Sequence, residues 1–113
     1  MKKTQIKKNE MKGILVFLIA SASYATAYCQ TADDYYNRGI SKRKLQDYRG
    51  AMADFTKAIE LNPNYADAYY SRGTSKGKLQ DYRGAIADYT KAIELNPNDA
   101  NAYHNRGVSK ANL

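Results

Sequence analysis

A segment of 34 residues, Ala66–Asp99 (ADAYYSRGTSKGKLQDYRGAIADYTKAIELNPND), follows a near copy of itself at Ala32–Tyr65. The two agree at 27 of 34 positions and differ only at Asp34/Ala68, Asn37/Ser71, Ile40/Thr74, Arg43/Gly77, Met52/Ile86, Phe55/Tyr89 and Tyr65/Asp99. A third copy opens at Ala100 and runs to Leu113. A fixed period of roughly 20 to 50 residues marks a stacked array, in which each unit hides its apolar flank against the next.

Within the unit the apolar spacing is helical. Tyr35, Tyr36, Ile40 and Leu45 predict a first helix over Asp33–Leu45, and Thr31-Ala32-Asp33-Asp34 offers it a capping-box start. The chain breaks at Gln46-Asp47-Tyr48. Ala51, Met52, Phe55, Ala58, Ile59 and Leu61 then mark a second helix with Asp47 as its N-cap. Pro63 stops it, because proline disfavours helical geometry in the preceding residue and has no amide to donate. The same grammar gives a helix near Asp67–Leu79, a turn at Gln80-Asp81-Tyr82, a helix near Arg83–Asn96, a stop at Pro97 and a fifth helix in Ala100–Leu113. The fold class is all-α.

Small residues show where helices approach. Gly39 and Ala51, and Gly73 and Ala85, are predicted to face each other, with Tyr35, Tyr48 and Phe55, or Tyr69, Tyr82 and Tyr89, filling the space around them. A glycine inside a helix costs about 1 kcal/mol relative to alanine, so its recurrence at Gly39, Gly73 and Gly107 is read as close packing. The aromatic stripe is accordingly assigned to the core.

Charge first suggests nucleic acid, since the formal net charge is +7. Lys2, Lys3, Lys7, Lys8 and Lys12 all precede the repeats, however. Past Gln30, 13 basic residues stand against 10 acidic ones, interspersed. No basic block with interleaved aromatics survives, which argues against a nucleic-acid partner. The lysines up to Lys12, the apolar run over residues 13–22 and the small and polar residues 23–29 form the three parts of a secretory signal peptide. The run is shorter than the roughly 20 residues of a comfortable membrane span. Cleavage after Ala27 or after Cys29 fits the small-residue rule, the second leaving Gln30 first. Met11 is an alternative start. Lipidation of Cys29 is the other reading, opposed by the bulky Tyr28 before it. A single cysteine makes no intrachain disulfide, and no metal-ligand spacing is present.

The chain resembles the tetratricopeptide repeat (TPR) family. The family pattern falls on Tyr35, Gly39, Ala51, Phe55, Ala58 and Pro63, and again on Tyr69, Gly73, Ala85, Tyr89, Ala92 and Pro97; Tyr103 and Gly107 open the partial third unit. The resemblance covers Ala32–Leu113 and implies a right-handed superhelical solenoid of antiparallel helix pairs. It divides residues 30–113 into repeats 32–65 and 66–99 and a partial repeat 100–113. Two departures recur in every copy. Arg38, Arg72 and Arg106 stand where the family has leucine, and Lys42, Lys76 and Lys110 where it often has an aromatic. A buried arginine needs a counter-charge, so Arg38 is predicted to pair with Asp54 and Arg72 with Asp88; Arg106 has no such partner in its own unit.

What the family implies for function is a concave surface, lined by the first helix of each unit, that grips a peptide or protein segment. The matching positions are Asp33, Tyr36, Ile40, Arg43 and Lys44, then Asp67, Tyr70, Thr74, Gly77 and Lys78, then Asn101, His104, Val108 and Asn112. Chaperone-binding members resemble a two-carboxylate clamp with Lys and Asn one turn apart; Tyr36 and Ile40 occupy those places, so no clamp is expected. Lys44 and Lys78 favour an acidic segment, or simply cap helix C-termini. His104, the single histidine, has no nucleophile or metal-ligand neighbour, so no catalytic, cofactor or metal site is expected. The sequence therefore reads as an exported protein-interaction module with a protein or peptide partner, touching a membrane only if the N-terminal segment is retained or Cys29 carries lipid. The alternatives are a structural component of an envelope-associated assembly anchored at its N-terminus, or a fragment of a longer array. Asn101, Asn105 and Asn112 make the last helix polar enough to act as a cap.

Overall fold

The computed structural model describes residues 30–113. The segment read as a signal peptide, with both cleavage points and Cys29, lies outside the described residues. Five helices and no strand occur among the described residues: α1 Ala32–Lys44, α2 Tyr48–Leu61, α3 Ala66–Lys78, α4 Tyr82–Leu95 and α5 Ala100–Ala111. Thr31–Leu113 forms one unit, an all-α solenoid in which each helix packs on the one before it. The first helices also touch one another, α1 with α3 and α3 with α5.

The helix starts follow from local chemistry. Thr31 and Asp34 form the expected capping box, the Thr31 hydroxyl accepting from the Asp34 amide at 3.2 Å and the Asp34 carboxylate accepting from the Thr31 amide at 2.9 Å. Asp47 and Asp81 cap α2 and α4, each accepting from a glycine amide three residues on, Gly50 and Gly84, at 3.0 Å. Asp99 caps α5 through the amides of Asn101 and Ala102. Tyr65 makes no side-chain cap for α3.

The ends are less obvious from sequence. Both first helices close in a Schellman turn: the Asp47 amide reaches Lys42 O at 2.9 Å and the Gln46 amide reaches Arg43 O at 2.9 Å, with Asp81 and Gln80 repeating the pattern. The residue at the turn adopts the left-handed region, φ 62° at Gln46 and 65° at Gln80, where glycine is usual. The break thus falls at residues 45–47, and Tyr48 and Tyr82, expected in the turn, instead open their helices. The second helices stop at Leu61 and Leu95, just before the Asn-Pro pairs. Pro63 and Pro97 are exposed, so they act as stops and not as packing residues.

The core is built from small residues and two rings. Ala51, Phe55, Ala58, Ala68, Ala85, Tyr89, Ala92, Ile93 and Ala102 are buried. A Cβ at Gly39 would lie 2.6 Å from Phe55 Cε1, and one at Gly73 would lie 3.0 Å from Tyr89 Cε1 and 3.2 Å from Ala85 O, so these glycines are the slots that let α1 meet α2 and α3 meet α4. Burying such a ring stabilises the fold by about 2–3 kcal/mol. Two expectations are corrected here. Gly107 has nothing within 4 Å of a Cβ. Of the aromatic stripe, only Phe55 and Tyr89 belong to the core; Tyr35, Tyr48, Tyr69 and Tyr82 are half-buried. Two of these outer rings are covered by guanidinium groups and not by apolar side chains of a core: Arg38 sits 5.1 Å from the Tyr35 centroid and Arg72 5.6 Å from that of Tyr69.

Candidate functional site

The predicted ion pairs position the first helices. Arg38 donates to both oxygens of Asp54, at 2.7 and 3.0 Å, and Arg72 to both oxygens of Asp88, at 2.8 Å each. Such forked pairs fix orientation as well as charge. Sequence reading missed the third member: Lys42 Nζ lies 3.0 Å from Asp54, and Lys76 Nζ 3.0 Å from Asp88. Each buried carboxylate therefore serves two cations supplied one helical turn apart by the preceding helix. Burial pushes the Asp54 carboxyl upward, but the hydrogen bonds from Arg38 and Lys42 outweigh it and hold the group below its ordinary range. The bond to Asp54 likewise raises Arg38, and the bond to Asp88 raises Arg72.

A second row joins consecutive units. Arg72 Nη1 also donates to Thr56 Oγ1 at 3.1 Å, and Arg106 Nη1 to Thr90 Oγ1 at 3.4 Å, so each arginine reaches back to the previous unit. Between first helices, Tyr36 Oη lies 3.5 Å from Ser71 Oγ, and Asn105 Nδ2 donates to Tyr70 Oη at 2.8 Å. These contacts span 35 residues each, one period plus one. They set the spacing of α1, α3 and α5.

That spacing opens a cleft of about 400 Å³ lined by Thr74, Gly77, Lys78, Tyr82, Tyr89, Asn105, Val108, Ser109 and Asn112. Five of the predicted groove positions, Thr74, Gly77, Lys78, Val108 and Asn112, meet there. Tyr82, Tyr89, Asn105 and Ser109 were not foreseen; the first two come from the second helix, which a search confined to first helices overlooks. Gly77 lines the cleft without a side chain, where the equivalent position in the first unit carries Arg43. Burial raises the Tyr89 phenol, while its bond to Thr74 Oγ1 and the charge of Arg43 oppose the rise.

The remaining predicted positions do not line this cleft. Asp33 accepts from Tyr65 Oη at 2.5 Å, and burial together with that bond raises the Tyr65 phenol. Tyr36 is occupied in packing, with its ring 5.0 Å from Tyr65 and 5.7 Å from Phe55, centroid to centroid. Tyr70 is half-buried, 5.7 Å from Tyr89. Ile40 and Arg43 are half-buried, and Lys44, Asp67, Asn101 and His104 are exposed.

One pair of sequence differences proves to be coupled. Tyr89 Oη donates to Thr74 Oγ1 at 3.1 Å, and Thr74 in turn donates to Tyr70 O at 3.1 Å. Where the second unit has threonine and tyrosine, the first has Ile40 and Phe55. The Ile40/Thr74 change therefore follows the change of core ring from Phe55 to Tyr89.

Two family models described as tetratricopeptide repeat match the sequence, one over residues 32–65 and 66–99 and the other over 88–113. No curated protein matches closely enough to count as a relative. Among solved structures, MamA superposes with a TM-score of 0.71 at 30% identity, covering 73% of this chain and 45% of that one. The TPR domain of Arabidopsis OM64 gives 0.72 at 29%, covering 74% and 69%. The first TPR of Spaghetti (RPAP3), solved bound to the HSP90 peptide SRMEEVD, gives 0.71 at 28%, covering 72% and 64%. The chain spans about half the length of the MamA structures it matches. With both complete units matched from the first residue of their first helices and the partial third unit covered by the second model, this chain belongs to the tetratricopeptide repeat family.

Proposed function

We propose that this chain is a protein-interaction module that holds an extended peptide segment in the cleft between α3 and α5. The observation that carries the reading is the local loss of bulk at Gly77, which leaves room at that place for a guest. The amide oxygens of Asn105 and Asn112, whose Nδ2 groups donate to Tyr70 Oη and Val108 O, suit the backbone N–H groups of an extended chain, and the rings of Tyr82 and Tyr89 offer apolar surface to its side chains. Lys78, exposed at the rim, favours a carboxylate on the guest. Use of the same fold to hold an acidic peptide by Spaghetti (RPAP3) supports the class of ligand. Tyr36 and Ile40, in place of a Lys and Asn, argue against a chaperone tail held by a two-carboxylate clamp. The positive start and apolar run of the N-terminal sequence support action after export.

The test is a substitution that the sequence itself supplies. Peptides selected on the wild-type chain from a random 12-residue display library are re-measured on Gly77→Arg, which installs the first unit's residue. Loss of affinity by about tenfold or more, with an unchanged melting temperature, is expected. Retained affinity refutes the cleft as the binding site. Export is tested separately by fractionation and intact mass, which should show a chain beginning after Ala27 or Cys29.

A further inference from the structure

We propose that this chain stacks edge to edge on a second copy of itself, shifted along the helix axes, so that a basic edge of one copy meets an acidic edge of the next. Short turns join consecutive helices, so in the complete units the first helices end and the second helices begin along one edge of the array. The opposite edge holds the other ends.

Charge is divided between these edges. Each helix of the complete units carries opposite charges eleven residues apart: Asp33 and Lys44 on α1, Arg49 and Glu60 on α2, Asp67 and Lys78 on α3, Arg83 and Glu94 on α4. All are exposed. Eleven residues make about three turns and about 16 Å of helix, so the two charges share a face, one at each end. The bases line one edge and the acids the other.

Helix chemistry accounts for α1 and α3, where an acid at the start and bases at the end complement the macrodipole. It fails for the second helices. With no acidic side chain in the first turn and no basic one in the last, α2 and α4 instead carry Arg49 and Arg83 at their starts and Glu60 and Glu94 near their ends, against the dipole. No ion pair among the described residues involves Arg49 or Arg83. Glu60 and Glu94 have only Lys57 and Lys91 of their own helices, at 3.5 and 3.7 Å. Asp47 and Asp81, the acids on the basic edge, are engaged by the Gly50 and Gly84 amides.

A shift along the helices answers every one of these charges. Glu60 and Glu94 of one copy come to Arg49 and Arg83 of the next, and Asp33 and Asp67 come to its Lys44 and Lys78. Asp33 uses one oxygen for Tyr65 and keeps the other. Each helix then meets its counterpart with opposite dipole ends together. Leu45 and Leu79, 81% and 37% exposed on the basic edge, and Leu61, 49% exposed on the acidic edge, gain cover from the same contact. A flat anionic surface would use the basic edge alone and leave Glu60 and Glu94 unexplained. Additional units would lengthen both edges without covering either.

The test is sedimentation velocity of the full chain from about 20 µM to about 1 mM, in about 20 mM and about 300 mM salt. Concentration-dependent association is expected at low salt, without a plateau at the dimer because the contact leaves both outer edges free, and weakened about tenfold or more at high salt. Arg49→Glu/Arg83→Glu alone and Glu60→Lys/Glu94→Lys alone should each sediment as monomers, since like charges then meet. An equal mixture of the two should associate again, because each edge finds its complement on the other variant. Both variants place charge as the macrodipole prefers, so their melting temperatures should hold or rise, which separates a lost contact from a lost fold. A monomer under all conditions, association that survives both reversals, or a mixture that does not recover overturns the proposal. So does binding to phosphatidylglycerol vesicles that Arg49→Glu/Arg83→Glu abolishes while the chain stays monomeric, since the basic edge would then serve a lipid surface.

Discussion

The two buried aspartates stand at equivalent positions in nearly identical units, yet replacing them should cost different amounts. Asp88 is 4% exposed, and the side chains of Arg72 and Lys76 that serve it are 18% and 23% exposed. Arg72 is further held by Thr56 of the preceding unit. After Asp88→Asn neither cation can turn freely into water, and the loss approaches that of breaking a buried pair, about 3 kcal/mol. Around Asp54 the cations sit at the edge of the described array. Arg38 is 48% and Lys42 35% exposed, so both can rehydrate when their partner loses its charge. Solvent screening reduces that loss to about 1 kcal/mol. The difference of about 2 kcal/mol corresponds to roughly 10 °C in melting temperature for a domain of this size. Urea unfolding of the two single variants, followed by circular dichroism, measures it. Equal losses, or a larger loss for Asp54→Asn, would refute the view that the preceding unit makes the second cluster matter more.

Other outcomes follow from the same contacts. Gly39→Ala must push the Phe55 ring aside and should cost about 1–2 kcal/mol net of the gain in helix propensity, whereas Gly77→Ala, with its nearest atom 4.0 Å away, should be neutral or stabilising; thermal melts of both decide. Tyr89→Phe leaves Thr74 without its donor and should cost about 1 kcal/mol, most of it recovered in the double variant Thr74→Ile/Tyr89→Phe, which a double-mutant cycle reads directly. Gln46→Gly should raise stability by about 0.5–1 kcal/mol in urea unfolding, since φ is 62° there. The lowered Asp54 pKa means the folded chain binds that proton less readily than the unfolded one. Its contribution is therefore complete above the ordinary carboxyl value of about 4 and lost as pH falls through the lower folded value. Asp54→Asn should remove part of the acid-side slope in urea midpoints measured from pH 5 to pH 2.

The repeat made most of the fold legible. Helix number, the aspartate caps and the Arg–Asp pairs all follow from residues that recur in register, and recurrence separates a packing requirement from an accident. What stayed hidden needed three dimensions. Lys42 and Lys76 read only as departures from the family's aromatic position until the carboxylate that each shares with an arginine is seen. Gln46 and Gln80 gave no sign of a left-handed turn, because the usual signal, glycine, is absent there. Gly107 carries the same letter as Gly39 and Gly73, yet the ring that makes sense of those two belongs to the next helix. The cleft was half legible: Thr74, Gly77, Lys78, Val108 and Asn112 follow from the family pattern, Asn105 and Ser109 lie on α5 outside that pattern, and Tyr82 and Tyr89 reach it from α4 across a boundary set by packing.

The most direct measurement is the amide chemical-shift map of the ¹⁵N-labelled domain titrated with a peptide selected on the wild-type chain. The largest changes are expected to gather at Thr74, Gly77, Lys78, Asn105, Val108 and Asn112 and to vanish in Gly77→Arg. Changes centred instead on the outer residues of α2 and α4, such as Lys57, Glu60 and Glu94, would contradict this.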